Sequence, residues 1–268
     1  MGTSSDNGPS GTSTPDIEVR DLTMEFGNFV VMRDLNFSVR HREIFIIMGG
    51  SGSGKSTLLR HLLGLQEPAN GSIWYKGIDF TAADSDTREA IRRRFGVLYQ
   101  SGALWTSMTL AENVGLPLAQ FTDLKPAEIR EIASLKLALV GLKGFEDYYP
   151  SQISGGMQKR AGVARAIALD PEFLFFDEPS AGLDPVTSHL LDDLILELRE
   201  SLETTVVVVT HELASIFAIG DRCIFLDTES RTIAAIGPPR ELLARSDNPH
   251  VRNFLTRGAA ASAGGANS

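Results

Sequence analysis

The chain contains one cysteine, Cys223, among 268 residues, which excludes an internal disulfide framework and fits a reducing compartment. Cys223 follows Asp221-Arg222 and precedes "IFL", the setting of a buried strand position rather than a reactive thiol. Long apolar runs are missing as well. Nothing approaches the roughly 18 apolar residues that span a bilayer, and "VVVV" at 206–209 is the size of a buried strand. A membrane would be reached through a partner. No basic region followed by an apolar stretch opens the chain, so no signal peptide is expected. After Met1-Gly2, Asp6 stands where a myristoylation site needs Ser or Thr. Positive charge is in deficit: the net charge is −9 and the pI about 5.1. That balance argues against nucleic acid as a partner, and Arg92-Arg93-Arg94 reads as a solvated helix face. Residues 1–15 and the tail "GAAASAGGANS" (258–268) lack apolar anchors. Both are expected to be disordered, leaving a folded unit over 16–257.

Over the whole chain, 43% hydrophobic and 22% charged residues describe an ordinary soluble globular protein with a substantial core. Short apolar runs each lead through a polar or glycine-rich turn into a helical pattern. "EIFIIM" (43–48) precedes a glycine loop and "STLLRHLLGL"; "EFLFF" (172–176) precedes "DEPSAGLDP" and a helix carrying Leu190, Leu191, Leu194, Ile195 and Leu198; "TVVVVT" (205–210) precedes His211 and another helix. Continuous apolar strands alternating with helices indicate an α/β fold with a parallel sheet covered on both faces. "IEVRDLTMEF" and "FVVMRDLNFSV" instead alternate apolar and polar residues, as antiparallel strands do. From about Ser101 to Leu169 the strand signal vanishes. There "PAEIREIASLKLALVGL" has helical spacing, with Ile129, Ile132, Leu135, Leu139 and Leu142 on one side. The region reads as an inserted helical subdomain.

"GGSGSGKST" fits G-x-x-x-x-G-K-[ST] from Gly49 to Ser56, between an apolar strand and a helix. Through Gly49, Gly50, Ser51, Gly52, Ser53 and Gly54 the backbone N–H groups can turn around a polyphosphate, and the helix directs its positive end at it. Lys55 would reach the β- and γ-phosphates, and Ser56, next to Thr57, would set its hydroxyl on Mg²⁺. In "FLFFDEP", Asp177 emerges where α/β folds gather ligands and can hold Mg²⁺ through its water shell. Glu178 can act as general base for an attacking water. A second helix N-terminus, Ser154-Gly155-Gly156 ahead of "MQKRAGVARAIAL", is another anion site without a P-loop lysine. Two phosphate-binding ends and one P-loop suggest a head-to-tail dimer, each chain's Ser-Gly-Gly closing over its partner's nucleotide.

Together these segments resemble the ATPases of ABC transporters over about residues 16–240. "GGSGSGKST" looks like their Walker A, Gln100 in "VLYQSG" their Q-loop, and "ISGGMQKR" their signature. "FLFFDEP" looks like Walker B, "SAGLDP" with Asp184 the D-loop, and His211 in "VTHE" the switch histidine. Taken alone, Gln100 is a surface glutamine and His211 a helix N-terminal histidine; only the constellation promotes them. The resemblance implies a P-loop NTPase core of RecA-like type, with an antiparallel β subdomain and an α-helical subdomain. It also implies ATP and Mg²⁺ bound twice in a dimer, Phe26 stacked on adenine, Gln100 sensing Mg²⁺ and water, and His211 holding the γ-phosphate. Phe29 nearby leaves a core role for either aromatic open.

Departures from that pattern are informative. Arg42 stands where the family often has glycine, Ile153 replaces leucine and Met157 replaces glutamine. "SGGM" with its basic pair, "QSGALWTSMTLAENVGLPL" (100–118) and "NPHVRNFL" (248–255) resemble the ATPase subunits of Mla/Mce-type lipid transporters. That likeness implies phospholipid or other lipid as cargo, an Mla-type permease and an Mce-domain substrate-binding protein as partners, and a place on the cytoplasmic face of the inner membrane. The likeness also leaves room for a small regulatory subunit in the complex. Trp105 and Met108 lie where a permease helix would dock, whereas Leu110 reads as core. The spacing of Met157 with Ala161, Ala164 and Ala168 puts its side chain in the helical subdomain rather than on nucleotide. The competing classes are an ATPase of a lipoprotein-release or small-solute transporter, and a soluble cassette acting on nucleic acid or ribosomes.

Overall fold

A computed structural model describes residues 14–27 and 29–263, with side chains of the last helix as far as Thr256. A hairpin of β1 (Ile17–Phe26) and β2 (Phe29–Val39) comes first, then β3 (Ile44–Gly49), which leads into α1 (Lys55–Leu62). β4 (Asn70–Tyr75) and β5 (Ile78–Asp79) return to the hairpin, and α2 (Ser85–Arg92) and β6 (Phe95–Leu98) follow. The insertion comprises α3 (Leu110–Phe121), α4 (Pro126–Leu139) and α5 (Gly155–Ala166). The chain then forms β7 (Phe173–Asp177), α6 (Pro185–Leu202), β8 (Thr205–Val209), α7 (Leu213–Ile219), β9 (Arg222–Asp227), β10 (Thr232–Gly237), α8 (Pro239–Arg245) and α9 (Pro249–Ala263).

Two sheets result, one ordered β2-β1-β4-β5 and antiparallel, the other ordered β10-β9-β3-β8-β7-β6. In the second, only the β10–β9 pair is antiparallel. The continuous apolar runs divide between its faces with the period of two that a strand imposes. Ile44, Ile46, Leu174, Phe176, Val206 and Val208 pack with the helical side of the molecule. Phe45, Ile47, Phe173, Phe175, Val207 and Val209 pack with α1 and the antiparallel sheet. A strand buried on both sides has no polar face to show, which is why those runs read as unbroken. In β1 the buried set shifts from Ile17 and Val19 to Leu22 and Met24 across an irregularity at Asp21, which takes φ 47°. One extra residue there re-aims the strand so that both halves face the core.

The helical insertion is present as expected, with no strand among the described residues between Leu98 and Phe173. Thr109 opens α3 with a reciprocal cap: its hydroxyl accepts the Glu112 N–H at 3.2 Å, and the Glu112 carboxylate accepts the Thr109 N–H at 2.7 Å. Buried Asn113 ties the preceding loop to α3, donating to the Trp105 carbonyl at 3.0 Å and accepting the Trp105 N–H at 2.7 Å. Leu110 is core, Met157 packs against the same core, and Cys223 is buried in β9 with its thiol pushed up to about 12 by desolvation.

Several expectations are corrected. α4 buries Ala133, Lys136 and Leu137, while Leu135 and Leu139 are exposed. Apolar residues occur all around this helix, so spacing alone does not choose the face; packing against α3 and α5 does. On α6, Leu190 is likewise exposed, while Leu191, Leu194, Ile195 and Leu198 are buried. The expected disordered tail from Gly258 continues α9 as far as Ala263, since alanine is the strongest helix former. Residues 264–268, and 1–13 of the N-terminal segment, lie outside the described residues. Arg42 keeps the left-handed turn that glycine would take, at φ 59°. Its N–H donates to Thr205 Oγ1 at 2.9 Å and its guanidinium pairs with Glu200 and Glu203. These contacts offset a conformational cost of about 1–2 kcal/mol.

Candidate functional site

The strand order brings the chemistry together. β8 lies between β3 and β7, with Val209 in register with both Ile47 and Asp177. The loops leaving the C-terminal ends of these three strands are the P-loop, the Asp177-Glu178 corner and the approach to His211, so they converge on one edge of the sheet. Glycine is needed at two places in the P-loop. A Cβ at Gly49 would lie 2.6 Å from Ser53 Oγ and 2.7 Å from the Leu226 carbonyl oxygen. Gly54 caps α1 in the left-handed region at φ 83°.

A groove of about 440 Å³ runs along this edge. It is lined by Gly52, Ser53, Gly54, Lys55, Ser56 and Thr57 of the P-loop, by Phe26 and Phe29, and by Gln100, Glu178 and His211. Gly49, Gly50 and Ser51 complete the loop outside the groove wall. The Lys55 ammonium is buried and donates to the Gly49 and Gly50 carbonyls at 3.1 and 3.0 Å. Desolvation lowers its pKa, against the pull of Glu178 and Asp177. The Ser56 hydroxyl donates to Asp177 Oδ1 at 3.1 Å. Burial raises the Asp177 carboxyl, the Ser56 hydrogen bond opposes that, and the neighbouring Glu178 charge adds to it. Glu178 sits at φ 49°, its N–H donating to the Val209 carbonyl at 2.8 Å. A carboxylate can only accept, so His211 Nδ1 carries the proton it gives to Glu178 Oε1 at 2.8 Å. Glu178 Oε2 is buried with no hydrogen-bond partner among the described residues.

Both expected ligands fit these residues. Glu178, whose Oε2 is buried and unpartnered, lines the same groove as P-loop residues 52–57, an arrangement that suits a water beside a polyphosphate. No group of three or more His, Cys, Asp or Glu side chains among the described residues could form a metal cage. Ser56 and Asp177, hydrogen-bonded to each other, with Gln100 on the same groove, would suit Mg²⁺, a cation that needs few protein oxygens.

The remaining expected site residues sit elsewhere in the chain. Ser154 caps α5, accepting the Met157 N–H at 3.3 Å. Asp184 caps α6, accepting N–H groups from Val186 and Thr187 at 3.0 and 3.1 Å and the Thr187 hydroxyl at 2.5 Å. Those bonds from Thr187 hold its carboxyl below the usual range. Ser154 and Gly156 border a small separate cavity of about 90 Å³ with Thr187 and Leu190. Gly155 faces open space, whereas Gly156 has Thr187 against it. None of these lines the P-loop groove.

Three features were not legible beforehand. Phe29, like Phe26, is exposed rather than core, with Arg231 4.9 Å above its ring; two aromatics on either side of Gly-Asn in the sequence were the available signal. His211 is bound to Glu178 of its own chain. Lys159 is buried and donates to the Glu178 main-chain carbonyl at 3.3 Å; in sequence it was only one of a basic pair. Of the arginine run, Arg93 pairs with Glu89 on the α2 surface as expected, while Arg94 pairs with Glu172. Arg92 and Arg93 also border a groove of about 590 Å³ between α2–β6 and α3–α5, shared with Tyr99, Phe121 and Arg165. Trp105 is 56% exposed and lies outside that groove.

Residues 32–181 match the ABC transporter family. The chain belongs to that family. It is 42% identical over 247 residues to a "Probable ribonucleotide transport ATP-binding protein mkl" of Mycobacterium tuberculosis, covering 92% of this chain and 67% of that protein. It is 39% identical over 239 residues to the "Intermembrane phospholipid transport system ATP-binding protein MlaF" of Escherichia coli, covering 89% and 88%. A solved dimeric ATP-binding cassette, described as a post-hydrolysis state bound to ADP and Pi, superposes with a TM-score of 0.74 at 31% identity, over 83% of this chain and 98% of that one. The chain is thus the ATP-binding subunit of an ABC transporter and an ATPase, with the P-loop NTPase fold expected of it. No helix among the described residues is long and apolar enough to cross a membrane.

Proposed function

We propose that this ABC ATPase drives transport of phospholipid or a related lipid, as a head-to-tail dimer on the cytoplasmic face of the inner membrane. In each site Lys55 and the P-loop N–H groups bind the β- and γ-phosphates, and Ser56 and Asp177 hold Mg²⁺, with Gln100 beside it. Mg²⁺, when bound, supplies charge neutralisation on the phosphate oxygens. Glu178 takes a proton as water attacks the γ-phosphorus; the bond to the β–γ bridging oxygen breaks, leaving ADP and phosphate. His211 keeps Glu178 oriented until it turns to the γ-phosphate, and Phe26 stacks on adenine. Ser154, Gly155 and Gly156 of the partner close the site, with Asp184 at the contact. The observation that carries the catalytic reading is that Glu178, with an unpartnered Oε2, lines the P-loop groove. The separation of the α5 tip from that groove within one chain supports the dimer.

The lipid assignment rests on likeness to MlaF across nearly all of both chains. A permease of Mla type and an Mce-domain protein are the partners that reading requires. The groove bordered by Arg92, Tyr99 and Phe121, together with exposed Trp105, suits a permease segment. A second reading, ribonucleotide transport, follows from the name of the mycobacterial relative, of which the chain spans 67%. Affinity purification from native membranes, with identification of subunits and bound small molecules, separates the two. Co-purifying Mce-domain protein and phospholipid is expected; a nucleotide-binding solute receptor instead would refute the lipid reading.

A further inference from the structure

Lys159 in "ISGGMQKR" touches neither nucleotide nor partner in the proposed function, yet the residue is only 7% exposed and its ammonium ends at the catalytic corner. From α5 its ammonium donates to the Glu178 carbonyl oxygen at 3.3 Å, an atom that also accepts the Ala181 N–H at 3.2 Å. Glu178 is held in a left-handed conformation that a non-glycine residue keeps only when its surroundings fix it. The Val209 carbonyl, the Ala181 N–H and His211 do so from the parallel-sheet core. Among the described contacts, Lys159 adds the one hydrogen bond to Glu178 from the helical insertion. Burying an ammonium is costly, and packing alone would be served by an apolar side chain.

We propose that Lys159 is a positioning residue that ties the signature helix α5 to the backbone of Glu178. Displacement of the tip at Ser154-Gly155-Gly156 then changes the aim of the general base in the same chain. The inference rests on the head-to-tail reading. There, the α5 tip closes over the partner's nucleotide while Glu178 serves its own P-loop, so Lys159 links the two ATP sites.

Lys159→Met keeps the buried stem and removes the donor and charge; Lys159→Arg keeps both. On the full chain, the Met variant is expected to lower kcat about tenfold or more. Its affinity for a fluorescent ATP analogue should stay within about threefold, and its Hill coefficient for ATP should fall toward about 1. The Arg variant should recover kcat to within about threefold. A folded Met variant with unchanged kcat overturns the proposal. So does a fall in kcat that Arg does not rescue, or one that leaves the Hill coefficient unchanged. Independent sites in the unmodified chain would contradict the link outright. Should the Met variant fail to fold, Lys159→Gln is read in the same assays against the same expectations. Glu178→Gln with ATP on size exclusion separates the two levels. Failure to dimerise removes the head-to-tail reading itself, whereas dimerisation combined with a null Lys159 result removes only the link.

Discussion

Gly156→Ala adds one methyl group at the start of α5, and the space for it is taken. An ideal Cβ there would lie 2.6 Å from Thr187 Cγ2, about 1 Å inside ordinary carbon–carbon contact. Overpacking of that size costs about 1–3 kcal/mol, while replacing glycine by alanine in a helix returns up to about 1 kcal/mol. Gly155 is the internal control, because a Cβ there meets nothing within 4 Å. Gly155→Ala should therefore be neutral or slightly stabilising. Thr187→Ser removes the obstructing methyl and keeps the hydroxyl that donates to Asp184 Oδ2 at 2.5 Å. Urea unfolding of Gly156→Ala, Thr187→Ser and the double variant should give a coupling of about 1–2 kcal/mol, with most of the loss recovered in the double. Equal stability of Gly156→Ala and Gly155→Ala, or no recovery with Thr187→Ser, would refute the claim that Gly156 exists to let α5 approach α6.

Gly155→Asp adds charge without that clash; at about 5 Å and an effective dielectric near 20 each opposing phosphate charge costs about 3 kcal/mol. ATPase activity should thus fall about 100-fold with the unfolding midpoint unchanged, and near-normal turnover would take Gly155 away from the nucleotide. Trp105→Glu should leave the chain folded by circular dichroism yet weaken its co-purification with the membrane partner, because the ring is exposed while the backbone is anchored by Asn113; lost folding would give Trp105 a structural role. His250 Nδ1 lies 2.9 Å from Asp227 Oδ1; the hydrogen bond to Asp227 and the Glu229 charge raise the imidazole pKa. Burial works against it, but bonds from Ser230 and His250 bring Asp227 down to about 2. A raised histidine stabilises below its unfolded pKa and loses that as pH climbs through the folded value; a depressed carboxylate stabilises above its unfolded pKa and loses that toward pH 2. The Tm deficit of His250→Gln should therefore be largest near about pH 5 and shrink toward about pH 9, and a deficit independent of pH would contradict the pairing.

Much of the site was legible because its chemistry is local in sequence. Gly49 to Ser56, Asp177-Glu178 and His211 each follow an apolar strand, and the parallel α/β fold sends such turns to one edge. What sequence does not carry is the order of strands. That β8 lies between β3 and β7 decides that His211 reaches Glu178, and nothing in "TVVVVT" states it. The same limit hides Lys159, whose role depends on where α5 lands relative to Glu178. In α4, leucine is spread too widely for periodicity to select the buried face. At Gly258 the low-complexity reading and the helix propensity of alanine disagree, and the described backbone follows the second as far as Ala263.

The central claim is that Glu178 is the general base of an ATP site completed by a second copy of the chain. Glu178→Gln keeps the shape of the side chain and removes its basicity. With ATP and Mg²⁺, this variant should run as a dimer on size exclusion, hold unhydrolysed ATP at about one molecule per chain, and turn over about 100-fold or more slowly than the unmodified chain. A monomer in saturating ATP, or hydrolysis near the normal rate, would contradict the account.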